Sequence, residues 1–380
     1  MIAMPKQKII RACTVSQSLG FVTGMIPDLQ KKYEVVLLSS SGPEWEEVRQ
    51  LYPNVKCIEL AMERHISLVK DIKSLWQMWR TFHKEKPRMV HSMTPKAGLL
   101  CMTAAWMAGV PVRVHTFTGL LFPTTVGLKR KILMATDWIT CACATHIIPE
   151  GKGVKNDLLN NGITKKPIKV LGYGSCRGID LERFDKTSEV MEEAAQLRKD
   201  GICTFITVGR LVGDKGINEL VEAFVKLNKE NNDTRLILVG CYEDNLDPLK
   251  IETHNLIERC DAIEYVGQQG DVRPWLAASD VAVLASYREG FPNVVIEAGA
   301  MGLPQIVTDI NGAREIIIEG KNGIIIPSKN IGVLYNAMKR MLNTDYRNFL
   351  AENARELIVS RYEQGYVCKC LYDFYDEILD

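Results

Sequence analysis

The sequence lacks the long hydrophobic segments that membrane-spanning and secreted proteins carry. Its longest apolar stretch covers residues 97–112 and contains Gly109 and Pro111, whereas a transmembrane helix needs about 20 apolar residues. The amino terminus carries several cations within its first predicted strand and no continuous apolar segment, which argues against a secretory signal peptide. We therefore expect a cytoplasmic protein.

Motifs for metal ions and common cofactors are also missing. The chain has 11 cysteines, but the closest pairs, Cys141 with Cys143 and Cys368 with Cys370, fit neither a zinc site nor a redox Cys-x-x-Cys motif. The sequence contains no Asp-x-Asp pair and no P-loop lysine motif. These absences predict reduced cysteines and no metal or other cofactor, and they argue against ATP hydrolysis.

A glycine-rich dinucleotide-binding motif is absent in the required context. Residues 171–178, Leu-Gly-Tyr-Gly-Ser-Cys-Arg-Gly, look like such a fingerprint. A polar segment follows them, however, where a helix and a later acidic residue are needed. This context excludes NAD binding.

The chain is long enough for two hydrophobic cores, and its halves carry opposite charge. Its 380 residues are 46% hydrophobic and have a net charge of +1. Residues 1–185 hold 26 Lys and Arg against 15 Asp and Glu, and residues 186–380 hold 21 against 31. A basic first half predicts an anionic partner, such as a phosphorylated lipid or a membrane surface. Nucleic acid is disfavoured because no recognition-helix or aromatic-basic strand pattern occurs.

Short β-branched runs alternate with helix-period segments along the whole chain, which is typical of parallel sheets with crossover helices. We expect an α/β fold of two facing doubly wound Rossmann-like domains with an interdomain cleft, where ligands bind beyond the carboxyl ends of the strands. The polar segment 178–201 is interpreted as the linker, with the boundary near Asp185. Strands are predicted at residues 8–13, 34–39, 56–60, 89–92, 112–116, 146–148 and 168–171, and at residues 203–208, 235–239, 263–266, 281–285, 305–308 and 323–326.

Two carboxylates flank a predicted turn and the start of a helix. Glu289 precedes the turn Gly290-Phe291-Pro292, and Glu297 lies inside the helix that follows. The proline suits a first helical turn, so the amides near Asn293 and Val294 form a pocket for a diphosphate. Glu297 could accept hydrogen bonds from a ribose and Glu289 from a hexose. Each Glu alone is more simply a surface or buried acid, but the neighbouring motifs favour a nucleotide-sugar.

A basic pair is predicted at the same edge of the second sheet. Gly209 and Arg210 follow the first strand of the second half, and Lys215 opens the next helix. Phosphates of a bound ligand would lie there, and their charge would be met without a metal. The alternative is a pair of solvated surface cations, the usual fate of Lys and Arg.

Polar residues of the first half are weaker candidates. Gly20 lies in the loop after the first strand, which could offer amides to a phosphate or be a plain strand-to-helix loop. His91 and His115 each end a predicted strand and should face the cleft. His91, with Lys96 on the next helix, could receive an acceptor's phosphate or hydroxyl, unless Thr94 simply caps that helix. For His115 the alternative is a buried imidazole bonded to a backbone carbonyl.

One segment of the first half combines apolar residues with consecutive cations. Residues 120–134 contain Lys129, Arg130 and Lys131 among apolar side chains. Together with the helix that carries Trp76, Trp79, Arg80, Lys84 and Lys86, this segment is typical of a membrane-facing edge. The alternative is a basic amphipathic helix that covers the core.

Several of these motifs resemble retaining glycosyltransferases of family 4, which have the GT-B fold. The Glu289 and Glu297 pair, residues 209–216 and residues 302–308 resemble the donor half of that family. Residues 94–98, 115–119 and 172–175 resemble bacterial members that build capsule or O-antigen units on a polyprenyl-diphosphate lipid. The resemblance covers essentially the whole chain. It departs from the family at Met93, where relatives often have His, and at the loop of Gly20, where they have two glycines.

The resemblance implies roles for individual residues and domains. Residues 1–185 would bind the acceptor, residues 186–362 would bind a nucleotide-sugar, UDP by resemblance, and a helix in residues 363–380 would cross back to the first domain. The residues implied to bind the donor are Gly20, Gly209, Arg210, Lys215, Gly290, Phe291, Asn293, Val294 and Glu297. Those implied in transfer are Arg210, Lys215, Glu289 and His115, and those implied in acceptor binding are His91 and Lys96.

Two other functions remain open from the sequence. A nucleotide-sugar 2-epimerase can use a similar two-domain layout, and it would convert a UDP-N-acetylhexosamine without an acceptor. A non-enzymatic nucleotide-sugar-binding protein would need the same donor contacts. A retaining, metal-independent transfer of a hexose or N-acetylhexosamine to a lipid-diphosphate-linked saccharide is the function that the resemblance favours.

Overall fold

The computed structural model describes residues 6–63, 67–243 and 247–379. The chain divides into two compact units, one formed by Met1–Arg177 with Gly365–Asp380 and the other by Gly178–Gln364. Within the described ranges, no helix combines the length and apolar character needed to cross a membrane.

The first unit contains a six-stranded parallel sheet with the strand order β3-β2-β1-β4-β5-β6. Most of these strands are short, nearly continuous apolar runs because helices cover both faces of a parallel sheet. The predicted strand at residues 168–171 is not formed, since Ile168 makes only an isolated bridge with Ile147. The strands are β1 (Gln7–Ala12), β2 (Tyr33–Ser39), β3 (Lys56–Glu59), β4 (Met89–Met93), β5 (Val112–Phe117) and β6 (His146–Pro149).

Crossover helices connect these strands, and short 3-10 helices lie at Ser16–Phe21, Thr23–Met25 and Phe122–Thr124. The helices are α1 (Ile26–Lys32), α2 (Glu44–Leu51), α3 (Leu68–Glu85), α4 (Pro95–Met107), α5 (Gly127–Cys143) and α6 (Gly151–Asn160). Apolar residues at helical spacing bury one side of α3 and α5, as expected of amphipathic helices on a sheet. The helix α4 is apolar and buried over most of its surface.

The second unit repeats the same architecture with the strand order β12-β11-β10-β7-β8-β9, all parallel. All six strands predicted for this half of the sequence are formed. They are β7 (Cys203–Val208), β8 (Thr234–Val239), β9 (Ile263–Gly267), β10 (Val281–Leu284), β11 (Gln305–Thr308) and β12 (Gly323–Ile326).

The helices of the second unit pack on both faces of this sheet, and a 3-10 turn at Gly213–Lys215 precedes α8. They are α7 (Ser188–Leu197), α8 (Ile217–Glu230), α9 (Ile251–Arg259), α10 (Arg273–Ala277), α11 (Asn293–Ala300), α12 (Ala313–Ile316), α13 (Ile331–Met341) and α14 (Thr344–Tyr362).

The polar segment 178–201, which the sequence predicted to be the linker, belongs to the second unit. Its α7 buries Val190 and Ala194, one helical turn apart, in the second unit's core together with Ile179. The backbone N–H of Ile179 donates to Tyr362 O, at 2.8 Å. These contacts put the structural boundary between Arg177 and Gly178, ahead of the boundary predicted near Asp185.

The last helix, α15 (Gln364–Leu379), packs on the first unit. It buries Cys368, Leu371, Phe374 and Tyr375 against the face of the sheet that carries the odd-numbered residues of β1. The opposite face packs against α3, α4 and α5. Burying each large apolar side chain contributes about 1.5–3 kcal/mol, so the carboxyl-terminal helix is an integral part of the first unit's core.

Candidate active site

The loops that follow β7 and β10 lie side by side at the carboxyl edge of the second sheet, because these strands are neighbours. The backbone N–H of Tyr287 donates to Asp214 O, at 2.8 Å. The Arg288 guanidinium forms an ion pair with the Asp214 carboxylate, at 2.8 Å. The two loops are therefore fixed to each other by a backbone hydrogen bond and an ion pair.

Lys215 and Glu289 meet across these two loops. The Lys215 ammonium forms an ion pair with Glu289 Oε1, and the Ser286 hydroxyl donates to the same oxygen at 2.8 Å. Ser286 is fully buried, and the Thr308 hydroxyl donates to its carbonyl at 2.6 Å. The structure thus brings together a cation and a carboxylate that are 74 positions apart in the sequence.

Arg210 follows Gly209 at the end of β7 and is substantially exposed. Its Nη1 donates to Glu243 Oε2, at 2.6 Å, in an ion pair whose carboxylate lies in the loop after β8. The neighbouring carboxylates of Glu243, Asp214 and Glu289 outweigh the effect of partial burial and raise the pKa of Arg210 above its usual value. Arg210 is therefore a fixed positive charge that a carboxylate already contacts.

The helix α11 begins four residues after Glu289, the carboxylate that contacts Lys215. The helix starts at Asn293, and Pro292 is its N-cap residue. The sequence predicted Pro292 one position later, in the first helical turn. The first helical N–H groups, including those of Asn293 and Val294, have no intrahelical acceptor by geometry. Glu297 follows one turn later on the same helix and is partly buried.

The turn before α11 is held closely against the rest of the unit. A Cβ at Gly312 would lie 2.5 Å from Gly290 O and 2.7 Å from the Cα of Phe291. The Phe291 side chain is buried and packs edge to face on Tyr362, with ring centroids 5.6 Å apart. The start of α11 is therefore rigidly positioned at the sheet edge.

His115, in the first unit, is buried between β5 and α4. Its Nδ1 lies 2.9 Å from the Ser92 hydroxyl, and a Cβ at Gly98 would lie 2.4 Å from its ring. Burial lowers the pKa of His115 to about 3. The imidazole is therefore neutral at physiological pH, and the partner of Nδ1 is a hydroxyl, where the sequence offered a backbone carbonyl as the alternative.

His91 lies on the opposite face of the first sheet, under α15. Its Nδ1 is 2.5 Å from the Tyr375 hydroxyl and its Nε2 is 2.7 Å from the Thr116 hydroxyl. Arg11 Nη1 also donates to the Tyr375 hydroxyl, at 2.8 Å. Burial and the Arg11 charge lower the pKa of His91 well below its usual value. Both ring nitrogens of this neutral histidine are thus engaged within the first unit.

Lys96 and Gly20 complete the candidate residues of the first unit. Lys96 forms an ion pair with Asp71 at 2.7 Å. Thr94 does not cap α4 with its side chain, and its hydroxyl is instead 2.7 Å from that of Thr14. Gly20 is exposed in the 3-10 helix after β1, and a Cβ there would meet no atom within 4 Å.

A small cavity lies beside His91 in the first unit, and Arg11, Glu150 and Cys176 are among its lining residues. Glu150 is buried at the end of β6 and accepts a hydrogen bond from the backbone N–H of Cys176, at 3.1 Å. Burial raises the pKa of Glu150 to about 7. In the described parts of the chain, the buried Nε of Arg11, a residue that lines this cavity, has no hydrogen-bond partner.

The predicted membrane-facing segment is exposed only in part. Phe122 is fully buried in a core cluster of the first unit, and Trp79 packs against that cluster. Val126 and Leu128, at the start of α5, are 85% and 73% exposed, and Trp76 on α3 is also exposed. An exposed apolar surface next to cations therefore remains on α3 and α5, smaller than the sequence predicted.

The sequence did not reveal several residues that contact the candidate residues of each unit. Ser286 was missed although it lies in the same loop after β10 as Glu289, because a lone serine after a strand is common. Glu243 and Tyr375 were missed because their partners are far away in sequence. No group of three or more His, Cys, Asp or Glu side chains suited to a metal ion occurs among the described residues.

Two family models match the sequence, one in each unit. Residues 191–357 match the model described as glycosyl transferases group 1. Residues 22–174 match the model described as a glycosyl transferase 4-like domain.

Individual relatives and a solved structure extend these matches over the whole chain. The sequence is 32% identical to the capsular polysaccharide biosynthesis glycosyltransferase CapM of Staphylococcus aureus, across 99% of this chain and 98% of the relative. It is 32% identical to a UDP-Gal:alpha-D-GlcNAc-diphosphoundecaprenol alpha-1,3-galactosyltransferase of Escherichia coli, across 78% of this chain and 77% of the relative. The crystal structure of Anabaena Alr3699/HepE in complex with UDP superposes with a TM-score of 0.80 at 18% identity, covering 98% of this chain and 100% of that chain. This likeness confirms the predicted fold class.

Proposed function

The chain belongs to the glycosyltransferases of family 4, and we propose that it moves a hexose or N-acetylhexosamine from a nucleotide-sugar to a saccharide carried on a lipid diphosphate. Two relatives support this assignment. One is a capsular polysaccharide glycosyltransferase, and the other acts on a diphosphoundecaprenol-linked sugar by its name. The product would be an intermediate of a bacterial surface polysaccharide.

The contact between Lys215 and Glu289 carries the proposal. A cation suited to a phosphate and a carboxylate suited to sugar hydroxyls meet at the carboxyl edge of a doubly wound sheet, where such folds bind their ligands. The first turn of α11 begins close by in the sequence, and its N–H groups suit a phosphate. A nucleotide-sugar presents a diphosphate and a sugar ring at adjoining positions, so one ligand would satisfy both side chains.

The proposed chemistry is electrostatic stabilisation of the leaving group. As the bond between the sugar's anomeric carbon and the diphosphate breaks, negative charge develops on the outer phosphate. Lys215 and Arg210, together with the amides of Asn293 and Val294, would meet that charge without reorganising. Glu297 would bind the ribose and Glu289 the transferred sugar. In this scheme these contacts require no metal ion and no other cofactor.

Retention of the anomeric configuration is proposed to follow from attack on one face. The acceptor hydroxyl would form its bond to the anomeric carbon from the side on which the diphosphate leaves. Its proton would pass to the departing phosphate oxygen, so a nucleoside diphosphate and the new glycoside are the products. No protein nucleophile is required in this scheme.

The candidate residues of the first unit are proposed to contact the transferred sugar, the acceptor or the donor. His115 would lie near the transferred sugar as a neutral hydrogen-bonding group, because its pKa of about 3 leaves it uncharged. Lys96 would bind the acceptor's phosphate in exchange for Asp71. A direct acceptor contact by His91 would require one of its bonds to Tyr375 or Thr116 to break. Gly20 would contribute a backbone amide to the donor.

UDP is the proposed nucleotide. The Escherichia coli relative is named for UDP-Gal, and the Anabaena structure contains UDP. A panel of nucleotide-sugars tested for thermal stabilisation would identify the donor, since a ligand that binds only the folded state raises its apparent stability. The largest shift is expected with a UDP-sugar.

The decisive test is transfer by the purified protein and by variants of the two cations. With the identified donor and a lipid-diphosphate saccharide, Lys215→Ala and Arg210→Ala are each expected to lower kcat by ~10²-fold or more, the scale for losing a preorganised charge stabiliser. Arg198→Ala is the matched control, because Arg198 is similarly exposed and forms an ion pair with Asp280 at the other edge of the same sheet. Full turnover by an Arg210 and Lys215 double variant would refute the phosphate assignment.

Product analysis separates the other candidate functions. An epimerase would convert UDP-N-acetylhexosamine in the absence of any acceptor. A binding protein would retain the donor, measured by calorimetry, without transfer or hydrolysis. Transfer that depends on the acceptor, with the anomeric configuration kept, is the result expected here, and its configuration is read by NMR of the product.

The second proposed partner is an anionic membrane surface on the cytoplasmic face of the inner membrane. The exposed side chains of Val126 and Leu128 adjoin Lys129 and Lys131 at the start of α5, and such a surface can insert apolar groups while cations meet lipid phosphates. Leu128→Glu is expected to abolish co-sedimentation with anionic vesicles at low salt. Ile251→Glu, a similarly exposed position in the second unit, should bind as the wild type does. Absence of wild-type binding would remove the membrane proposal.

A further inference from the structure

Glu243 forms an ion pair with Arg210, one of the two cations proposed to bind phosphate. We propose that Glu243 is a positioning residue that acts as an internal counter-anion of Arg210: it holds the guanidinium when the site is empty, competes with the nucleotide's diphosphate for it, and speeds release of the nucleoside diphosphate. This inference rests on the proposed function, because it takes Arg210 as a phosphate ligand.

The loops that carry these two residues are tied together by backbone contacts. The backbone N–H of Leu211 donates to Cys241 O, at 2.8 Å, and Leu211 forms a parallel bridge with Tyr242. At Gly240 the loops approach so closely that a Cβ would lie 1.8 Å from Gly209 O. The residue after Gly209 and the residue after Tyr242 are therefore brought side by side by the fold.

Aromatic packing fixes the loop after β8 from its other side. The Tyr242 ring packs against His254 and Tyr265, with ring centroids 5.0 and 4.7 Å apart. Aromatic pairs of this kind add to the stabilisation given by burial alone. The backbone next to Glu243 is thus anchored by contacts that do not involve Arg210, so the carboxylate remains close when the guanidinium moves to a ligand.

The exposure of the pair makes it suited to exchange. The side chains of Arg210 and Glu243 are 45% and 29% exposed, and ion pairs open to water are weak and easily broken. Arg235 gives a contrast in the same unit, because its side chain is 4% exposed and it also donates to Leu197 O. Arg235 is held permanently, whereas Arg210 can leave Glu243 for a stronger anion.

A diphosphate carries more negative charge than one carboxylate and would displace Glu243 from Arg210. The displaced carboxylate then lies near the bound phosphates and repels them. Both effects lower the affinity for the nucleotide. After transfer they favour departure of the nucleoside diphosphate, since Glu243 restores the charge balance of Arg210 as the product leaves.

The test uses the full chain and UDP as the probe. Glu243→Gln removes the charge and keeps the size, so we expect UDP to bind two- to five-fold tighter by calorimetry, the range given by a weak exposed ion pair, with slower UDP dissociation in stopped flow. The donor KM should fall while kcat does not rise. Glu243→Asp keeps the charge and should bind UDP with wild-type affinity. Glu230→Gln is the control: it removes another partly exposed acid, the partner of Lys339, and should leave the UDP affinity unchanged. In an Arg210→Ala background the gain from Glu243→Gln should be smaller.

Two results would overturn this inference while the proposed function stands. Weaker UDP binding by Glu243→Gln would mean that the carboxylate orients Arg210 or contacts the nucleotide. Unchanged binding would mean that the ion pair has no influence on the site. Failure of the wild-type protein to bind any nucleotide or nucleotide-sugar would instead overturn the proposed function, and this inference with it.

Discussion

Replacing Glu150 with Gln should give a gain in stability whose size depends on pH. Glu150 is buried at the end of β6, and burial raises the pKa of its carboxyl group to about 7, although the hydrogen bond from the Cys176 N–H opposes the shift. In the unfolded chain a glutamate has a pKa of about 4.3. The folded protein therefore keeps a proton on Glu150 between pH ~4.3 and pH 7, whereas the unfolded chain loses it.

The sign of the effect follows from that difference. Because the folded state binds more protons, the free energy of unfolding falls as the pH rises from ~4.3 to about 7 and stays lower above that value. A difference of one pKa unit between the folded and unfolded states corresponds to about 1.36 kcal/mol. Above pH 7 the ionised carboxylate therefore lowers the free energy of unfolding by on the order of 3 kcal/mol. Glutamine has nearly the same shape, can accept the Cys176 hydrogen bond and carries no charge. Glu150→Gln should remove this cost.

The assay is thermal and urea unfolding of both proteins at pH 5 and pH 8. At pH 8 we expect Glu150→Gln to be more stable by up to about 3 kcal/mol, which for a unit of this size is a rise in Tm of roughly 5–10 °C. At pH 5 the two proteins should agree within about 1 kcal/mol. Glu47→Gln, at an exposed position of the same unit, is the control and should change stability by less than ~0.5 kcal/mol at either pH.

The reasoning would be refuted if Glu150→Gln were less stable than the wild type at pH 8. That result would mean that the ionised carboxylate has a favourable partner in the cavity, of which Arg11 is the obvious candidate. Titration of the side chain by NMR would then place its pKa below that of free glutamate. Equal stability of the two proteins at both pH values would show that water reaches the carboxylate.

Three further substitutions test individual contacts within the two units. Tyr375→Phe removes the hydroxyl that accepts from Arg11 and should cost about 2–4 kcal/mol in urea unfolding, because a buried charged donor loses its partner. Gly240→Ala, at φ +143° and in close contact with Gly209 O, should destabilise the second unit by more than ~3 kcal/mol and weaken UDP binding, both measured by calorimetry. Lys166→Met removes an ammonium that donates to three carbonyls at the end of α5 and should cost about 2 kcal/mol in thermal unfolding, with the loss falling at high salt.

The strands of the second unit could be predicted because each is a short β-branched run with a clear helix-period segment after it. The same rule failed at residues 168–171, which lie beside the edge strand β6 but make only one bridge with it, from Ile168 to Ile147. It also failed at residues 178–201, where acidic residues concealed the spacing of Val190 and Ala194. A mostly polar segment can still form a helix with one buried side. The buried side of α7 has too few apolar residues to be recognised from composition.

The charged residues of the second unit could be predicted because their positions follow from the topology. Residues that follow neighbouring parallel strands must lie at one edge of the sheet, so Lys215 and Glu289, 74 positions apart, could be assigned to the same edge from the sequence. Their direct ion pair was not predicted. The residues that contact them could not be predicted in this way. Ser286 and Glu243 reach the site through side-chain directions and loop paths, which are fixed by packing and leave no periodic trace in the sequence.

The candidate ion pairs of the second unit and His91 of the first unit differ in exposure, and this bears on the roles that the sequence predicted for them. In the second unit the cations and carboxylates are partly exposed and joined in ion pairs that water can reach. Such groups can exchange partners at low cost, as ligand binding requires. In the first unit His91 is buried and Tyr375 and Thr116 engage both of its ring nitrogens, so a change of partner would leave a buried group unsatisfied. Substitution of His91 should therefore lower the stability of the first unit together with activity, whereas substitution of Lys215 should lower activity alone.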